Sequence, residues 1–178
     1  MSSYSAYSGS GQDQIDPFDA GDGNIWRKAE YLGRYLFAAD FLRLHRPNLV
    51  ADISCGRGYG AAELAAVAGR VIGVDGDQSL IEWAKGSIEK DNLNFLYKDL
   101  NEEELYPDIA EGSAAAVISF ETLEHLLDPK RALSQFNRIL RPEGFFIASV
   151  PNVLSESADG AGLPRNKSHK HWFNFSSL

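Results

Sequence analysis

Five short apolar runs separated by stretches of helical spacing constrain this chain more than any other feature. They are LVADI ending at Ile53, VIGVD ending at Asp75, LNFLYKD ending at Asp99, AAAVISF ending at Phe120 and FFIASVP ending at Pro151. Strands that are apolar on both faces and alternate with helices form a parallel sheet covered on each side. Right-handed crossovers make that sheet doubly wound, so the expected class is α/β with a mostly parallel sheet and helices on both faces. In such sheets a ligand sits beyond the carboxyl ends of the strands, where the strand order reverses.

The helical stretches carry their own signals. Leu32, Tyr35, Leu36, Ala39 and Leu42 recur at helical spacing before Pro47 stops the run. Between the second and third runs, Ser79 and Glu82 read as a capping box, with Leu80, Ile81, Ala84 and Ile88 on one face. Between the fourth and fifth, Asp128 reads as an N-cap followed by Pro129, and Ala132, Leu133, Phe136 and Leu140 as the buried stripe. RPEG is expected to turn the chain at Pro142 and Gly144. Residues 1–22 are rich in Ser, Gly and Asp with no apolar period and are expected to be mobile, leaving 23–178 as one domain.

Composition excludes several classes of function. A formal net charge of -8 argues against nucleic acid, whose affinity comes from Lys and Arg neutralising phosphates. No apolar run approaches the ~20 residues of a membrane helix, and the N-terminus lacks the plan of a secretory signal, so a cytoplasmic protein without membrane contact is expected. Cys55 is the only cysteine, which excludes an internal disulfide and a multi-thiolate metal site within one chain.

Chemistry-bearing residues cluster at the strand ends. Asp52, Asp75, Asp99 and Glu121 close separate runs, so four carboxylates from distant sequence are expected on one rim. After Asp52, DISCGRGYG places glycines at 56, 58 and 60, which permit positive φ and let a ligand lie against bare amides. Its spacing is G-x-G-x-G, one residue short of the dinucleotide fingerprint, and the acid at its entrance disfavours a pyrophosphate. Asp75 has the position of an acid that takes ribose hydroxyls. Asp99 could accept from an exocyclic amine. Together these residues describe an adenosine nucleoside with an amine or sulfonium tail.

With EYLGRYLFA (30–38), DISCGRGYG (52–60), VIGVD (71–75), KDL (98–100), SFETLEHLLDP (119–129), ILRPEGFFIASVPN (139–152) and NKSHKHWF (166–173), the chain resembles the class I S-adenosylmethionine-dependent methyltransferases, in their small-molecule branch. The resemblance implies a Rossmann-like methyltransferase fold and S-adenosyl-L-methionine as cofactor, with S-adenosyl-L-homocysteine as product. It implies that Gly56 and Gly58 pack on the methionine part, Asp75 binds the ribose diol, and Asp99 with the Leu100 amide reads adenine. The expected cofactor set also includes Asp52, Cys55, Gly76 and Glu121, and Arg34 and Tyr35 toward the methionine carboxylate. The family fold continues through another helix and two strands, more than the 26 residues after Asn152 can build. C-terminal strands are therefore expected to be missing, and the exposed sheet edge would need a cover, such as a second copy of the chain.

Methyl transfer from a sulfonium is an in-line displacement in which alignment in a dry site does most of the work. A hydroxyl acceptor needs a base, and His125 is the candidate, with Glu124 to orient it. His169 and His171 resemble a family element near the acceptor pocket. They are two apart with no carboxylate at ligand spacing, so no metal is expected. The expected activity is methyl transfer to a small polar acceptor, a hydroxyl of a sugar or secondary metabolite. The alternative is a non-catalytic adenosyl-nucleoside-binding module acting through a partner chain.

Overall fold

The computed structural model describes residues 25–153, 168–174 and 176, so the expectation for residues 1–22 lies outside the described residues. The chain enters through helix α1 (Ile25–His45) and continues through strand β1 (Leu49–Ile53), helix α2 (Tyr59–Leu64), β2 (Arg70–Asp75), α3 (Gln78–Ser87) and β3 (Leu93–Tyr97). It then forms β4 (Ala114–Phe120), a 3-10 turn (Leu123–His125), α4 (Pro129–Ile139) and β5 (Leu140–Ser149). The sheet order is β3-β2-β1-β4-β5, and every pairing is parallel. The chain therefore winds outward from β1 to β3, then crosses back to β4 on the other side of β1. The order reverses between β1 and β4, which makes their carboxyl ends the switch point of the sheet.

Alternation along each strand sends neighbours to opposite faces, and two cores result. Val50, Val71 and Phe95 join Leu42, Leu64 and Ile81 under α1, α2 and α3. Ala51, Ile72 and Val74 join Leu105, Ile109 and Phe136 on the other face. Each of these side chains larger than alanine, removed from water, contributes about 1.5–3 kcal/mol before chain entropy is counted.

The connection from β3 to β4 contains no helix, although alternation of strands and helices is the general pattern. Leu105 and Ile109, each 1% exposed, cover the sheet there instead. Polar groups of α4 satisfy the backbone of this irregular segment. Arg131 Nη1 donates to the carbonyls of Leu100 at 3.0 Å and Asn101 at 2.9 Å, and Gln135 Oε1 accepts from the Leu105 amide at 2.8 Å. These bonds substitute for the ladder that a helix would have supplied.

Several local expectations are corrected. Helix α3 is capped by Asp77, whose extended backbone lets its carboxylate accept from the amides of Ser79 and Leu80, so Ser79 is a first-turn residue and no Ser79–Glu82 capping box forms. β3 ends at Tyr97 and leaves Asp99 two residues beyond it; β5 ends at Ser149. RPEG does not separate α4 from β5 but lies inside β5. Ala114 pairs with Leu140 and Ala116 with Phe145, and Pro142 to Gly144 bulge out between, with Glu143 at φ 61. An edge strand tolerates such a bulge because its outer amides have no ladder partner to lose. In α4, Leu133 is exposed and Ile139 takes its place in the core; in α1, Leu36 is exposed and Ala38 is buried. Asp128 does cap α4, accepting from the amides of Lys130 and Arg131 at 3.0 Å each.

Candidate functional site

Beyond β1 the backbone leaves extended geometry at once. Ser54, Gly56 and Gly58 all adopt positive φ, at 61, 56 and 79 degrees. The glycines have different physical reasons. At Gly58 a Cβ would meet the Phe95 ring at 2.5 Å, and at Gly60 it would enter the Tyr35 ring, so both are small because the protein packs against them. At Gly56 a Cβ would meet nothing within 4 Å. Of these three loop glycines, only Gly56 has open space beside it, and its loop borders the cavity described next.

Asp75 closes β2 opposite this loop. Its Oδ2 accepts from the Gly56 amide at 2.8 Å and its Oδ1 from the Asp77 amide at 2.9 Å. One carboxylate thus ties the glycine loop of β1 to the start of α3, and its two oxygens have more lone pairs than these amides use. Burial raises the Asp75 pKa above the ordinary carboxylate value, with the Asp77 charge adding to the rise and the amides of Asp77, Gly56 and Gly76 opposing it.

Two cavities meet at Asp75. The larger, of about 390 Å³, is lined by Arg34, Tyr35, Cys55, Gly56, Glu121 and His125 among others, a volume in the range of small-molecule sites. The smaller, of about 130 Å³, is lined by Gly76, Asp99, Leu100 and Asn101. Both share Ser54, Asp75, His125 and Leu126. Ten of the expected residues therefore line these two adjacent cavities: Arg34, Tyr35, Cys55, Gly56, Asp75, Gly76, Asp99, Leu100, Glu121 and His125. Asp99 Oδ1 accepts from the Asn101 amide at 2.9 Å, which fixes the turn after β3.

Three expected residues do not line it. Gly58 is turned into the core beside Phe95. Asp52 is 0% exposed beneath the loop, where its Oδ1 accepts from the Tyr35 hydroxyl at 3.1 Å and its Oδ2 has no hydrogen-bond partner among the described residues. Desolvation pushes the Asp52 carboxyl up to about 8, with Asp75 adding to the rise and Tyr35 opposing it. A neutral acid in the floor replaces the expected anion at the rim. Glu124 is 1% exposed, behind His125 rather than in the wall. Burial, reinforced by Asp52, raises the Cys55 thiol well above its ordinary value, so this cavity-wall sulfur stays protonated.

Arg34 and Glu121, both in the wall of the larger cavity, form an ion pair at 3.5 Å, and Ser149 Oγ donates to Glu121 Oε1 at 2.7 Å. Arg34 Nη2 also donates to Glu30 at 3.0 Å, whereas its buried Nη1 has no hydrogen-bond partner among the described residues. The expected carboxylate-binding arginine is thus partly engaged by the protein's own acids.

Residues 168–174 lie over the turn after β4. The amides of Lys170 and His171 donate to the Glu124 carbonyl at 2.7 and 3.2 Å, and Val153 donates to the Phe173 carbonyl at 2.9 Å. Ser168 Oγ sits 3.2 Å from His125 Nδ1, and His125 Nε2 is 3.9 Å from Glu124 Oε1. The expectation that no carboxylate stands at ligand spacing to the histidines is corrected. Glu124, His125 and His169 have potential ligand atoms within 4.8 Å of one another, while His171 turns toward the Leu127 carbonyl. Tyr31, Arg57, Tyr59, Thr122 and Ser168 also border the larger cavity; each lies inside a motif that carries the resemblance, but none stands out there, since only the folded chain places it at the wall. No helix among the described residues is long and apolar enough to cross a membrane.

Comparison with known proteins agrees with this geometry. A family described as "Methyltransferase domain" matches residues 51–148, from β1 through β5 and over half the chain. A protein named "Probable S-adenosylmethionine-dependent methyltransferase" from Mycolicibacterium smegmatis is 35% identical over 129 residues, covering 72% of this chain and 48% of that protein. A ubiquinone biosynthesis O-methyltransferase from Dinoroseobacter shibae is 28% identical over 131 residues, covering 70% of this chain and 52% of the relative. The chain thus spans about half the length of these relatives. In fold it is similar to an S-adenosylmethionine dependent methyltransferase from Mesorhizobium loti, with a TM-score of 0.57, 20% identity and coverage of 70% of this chain and 58% of that one. With a parallel sheet in the order 3-2-1-4-5, a glycine loop tied to the acid ending β2, and a family match across all five strands, the chain belongs to the class I S-adenosylmethionine-dependent methyltransferases.

Proposed function

We propose that the chain binds S-adenosylmethionine across the two adjacent cavities and transfers its methyl group to a hydroxyl of a small polar acceptor, a sugar or a secondary metabolite. The observation that carries this reading is the Gly56–Asp75 clamp at the junction of the cavities. Asp75 keeps lone pairs on both oxygens for a ribose diol. The smaller cavity, with Asp99 and Leu100, suits the adenine base. The open side of Gly56 and the buried Arg34 Nη1 suit the amino-acid end. An O-methyltransferase among the relatives supports an oxygen acceptor.

The bound cofactor supplies an electrophilic methyl on a sulfonium. The chain's own residues align and desolvate. Tyr35, with a hydroxyl held neutral by burial, packs edge-on against Tyr59 and Phe120 and keeps the cavity floor rigid and apolar. His125, in the wall shared by both cavities, would take the acceptor hydroxyl's proton on a ring nitrogen as that oxygen is methylated. Glu124 behind it, and Ser168 at its Nδ1, fix the ring.

The test is a methyl-transfer assay, with labelled S-adenosylmethionine and a panel of hydroxylated acceptors, on the protein containing this chain. Label in an acceptor ether is expected. Cofactor binding without transfer to any acceptor would favour a non-catalytic nucleoside-binding module instead.

A further inference from the structure

We infer that Glu124, His125 and His169 form a binding site for a divalent transition ion of the zinc type, with an open position toward the larger cavity. Their potential ligand atoms lie within 4.8 Å of one another. Glu124 is buried and both histidines are half-buried, so the cluster is not a chance meeting of solvated side chains. The two imidazoles pack edge to face with ring centres 4.8 Å apart.

The donor set selects the ion. Two imidazoles and one carboxylate are the ligands of open zinc sites, and imidazole disfavours the hard ions magnesium and calcium. A tetrahedral site with bonds of ~2.1 Å places neighbouring ligand atoms roughly 3.4 Å apart, so modest side-chain rotation closes this cluster onto an ion. The cation offsets the cost of holding the Glu124 carboxylate away from water.

The chain assembles the site economically. Glu124 and His125 come from the turn after β4. His169 is 44 residues beyond His125 and is delivered by the segment whose Lys170 and His171 amides donate to the Glu124 carbonyl. Glu124 therefore supplies one ligand through its side chain and positions another through its backbone. Ser168 Oγ, 3.2 Å from His125 Nδ1, can accept a hydrogen bond from Nδ1–H and so leave Nε2, 3.9 Å from Glu124 Oε1, as the ligand atom.

His125 also lines the cavity, so a molecule in the fourth position reaches it. The catalytic use of the ion rests on the methyl-transfer reading, whereas metal binding itself does not. In the loaded protein His125 is a ligand rather than the base. The ion would supply Lewis-acid activation of an acceptor hydroxyl, whose proton would leave to solvent.

The experiment is a titration of the untagged, metal-free chain with cobalt(II), followed in the visible, and with zinc by calorimetry. We expect one ion per chain, ligand-field bands of a low-coordinate nitrogen and oxygen site, and at least tenfold weaker binding in both His169→Ala and Glu124→Gln. His171→Ala, outside the cluster, is expected to bind as the parent does. Circular dichroism melting identifies any variant that fails to fold; should Glu124→Gln unfold, the half-buried His169→Ala decides. No saturable binding, or equal affinity in folded His169→Ala, overturns the site. S-adenosylmethionine titrated into the metal-free chain separates this failure from that of the methyltransferase reading.

Discussion

The Gly56 amide donates to Asp75 Oδ2 at 2.8 Å, joining residues 19 apart in the chain and tying the loop after β1 to the end of β2. This bond holds the glycine loop open on its cavity side and holds one face of the carboxylate toward the same space. Asp75→Ala is expected to weaken S-adenosylmethionine by about 2 kcal/mol or more, through loss of charge-assisted bonds to the ribose diol. Equilibrium dialysis with labelled cofactor measures this, and unchanged affinity would remove Asp75 from the site.

Gly58 and Gly86 give opposite expectations for the same substitution. Gly58→Ala forces a Cβ into the Phe95 ring at φ 79 and is expected to cost about 1–3 kcal/mol. Gly86 lies in α3 with nothing within 4 Å of its would-be Cβ, so Gly86→Ala is expected to stabilise by about 0.5–1 kcal/mol. Urea unfolding of both variants reads the two signs side by side.

Asp52 predicts a pH dependence of stability. Its carboxyl titrates at about 8 in the fold and at ~3.9 in an unfolded chain, so between those values the folded state holds a proton that the unfolded state lacks. This contribution is complete below pH ~4 and is lost as pH rises through 8, at a slope of up to about 1.4 kcal/mol per pH unit. Asp75, also raised, acts in the same direction. Asp52→Asn carries no titrating group there and is expected to gain stability relative to the parent between pH 5 and 8. Parallel stability curves would show that Asp52 is ionised in the fold.

On the proposed reading, His125→Ala is expected to slow methyl transfer at least tenfold while changing cofactor affinity less than Asp75→Ala does, because Asp75 rather than His125 holds the glycine loop. Single-turnover kinetics beside binding measurements check this. Loss of affinity in step with rate would assign the histidine to cofactor binding alone.

The fold was legible because alternation of apolar runs and helical periods is itself the physics of a covered parallel sheet. Asp75 was legible for the same reason: an acid at the end of a strand has only one rim to occupy. Asp52 was not, because its burial depends on Tyr35, a residue of another element whose hydroxyl reaches it at 3.1 Å. The RPEG segment has ordinary turn chemistry, and only pairing with β4 draws it into the edge strand as a bulge. Ser54 and Glu121 adopt left-handed backbone at φ 61 and 51, a strain found at functional sites that no residue type announces. Glu124 was legible as a neighbour of His125 but not of His169, because only the fold carries residues 168–171 onto the turn after β4.

Calorimetric titration of S-adenosylmethionine into the 178-residue chain tests the central claim most directly. Saturable binding at one molecule per chain, abolished or strongly weakened by Asp75→Ala, is the predicted result. Absence of saturable binding by a folded chain would contradict the cradle of Gly56, Asp75 and Asp99 as a cofactor site.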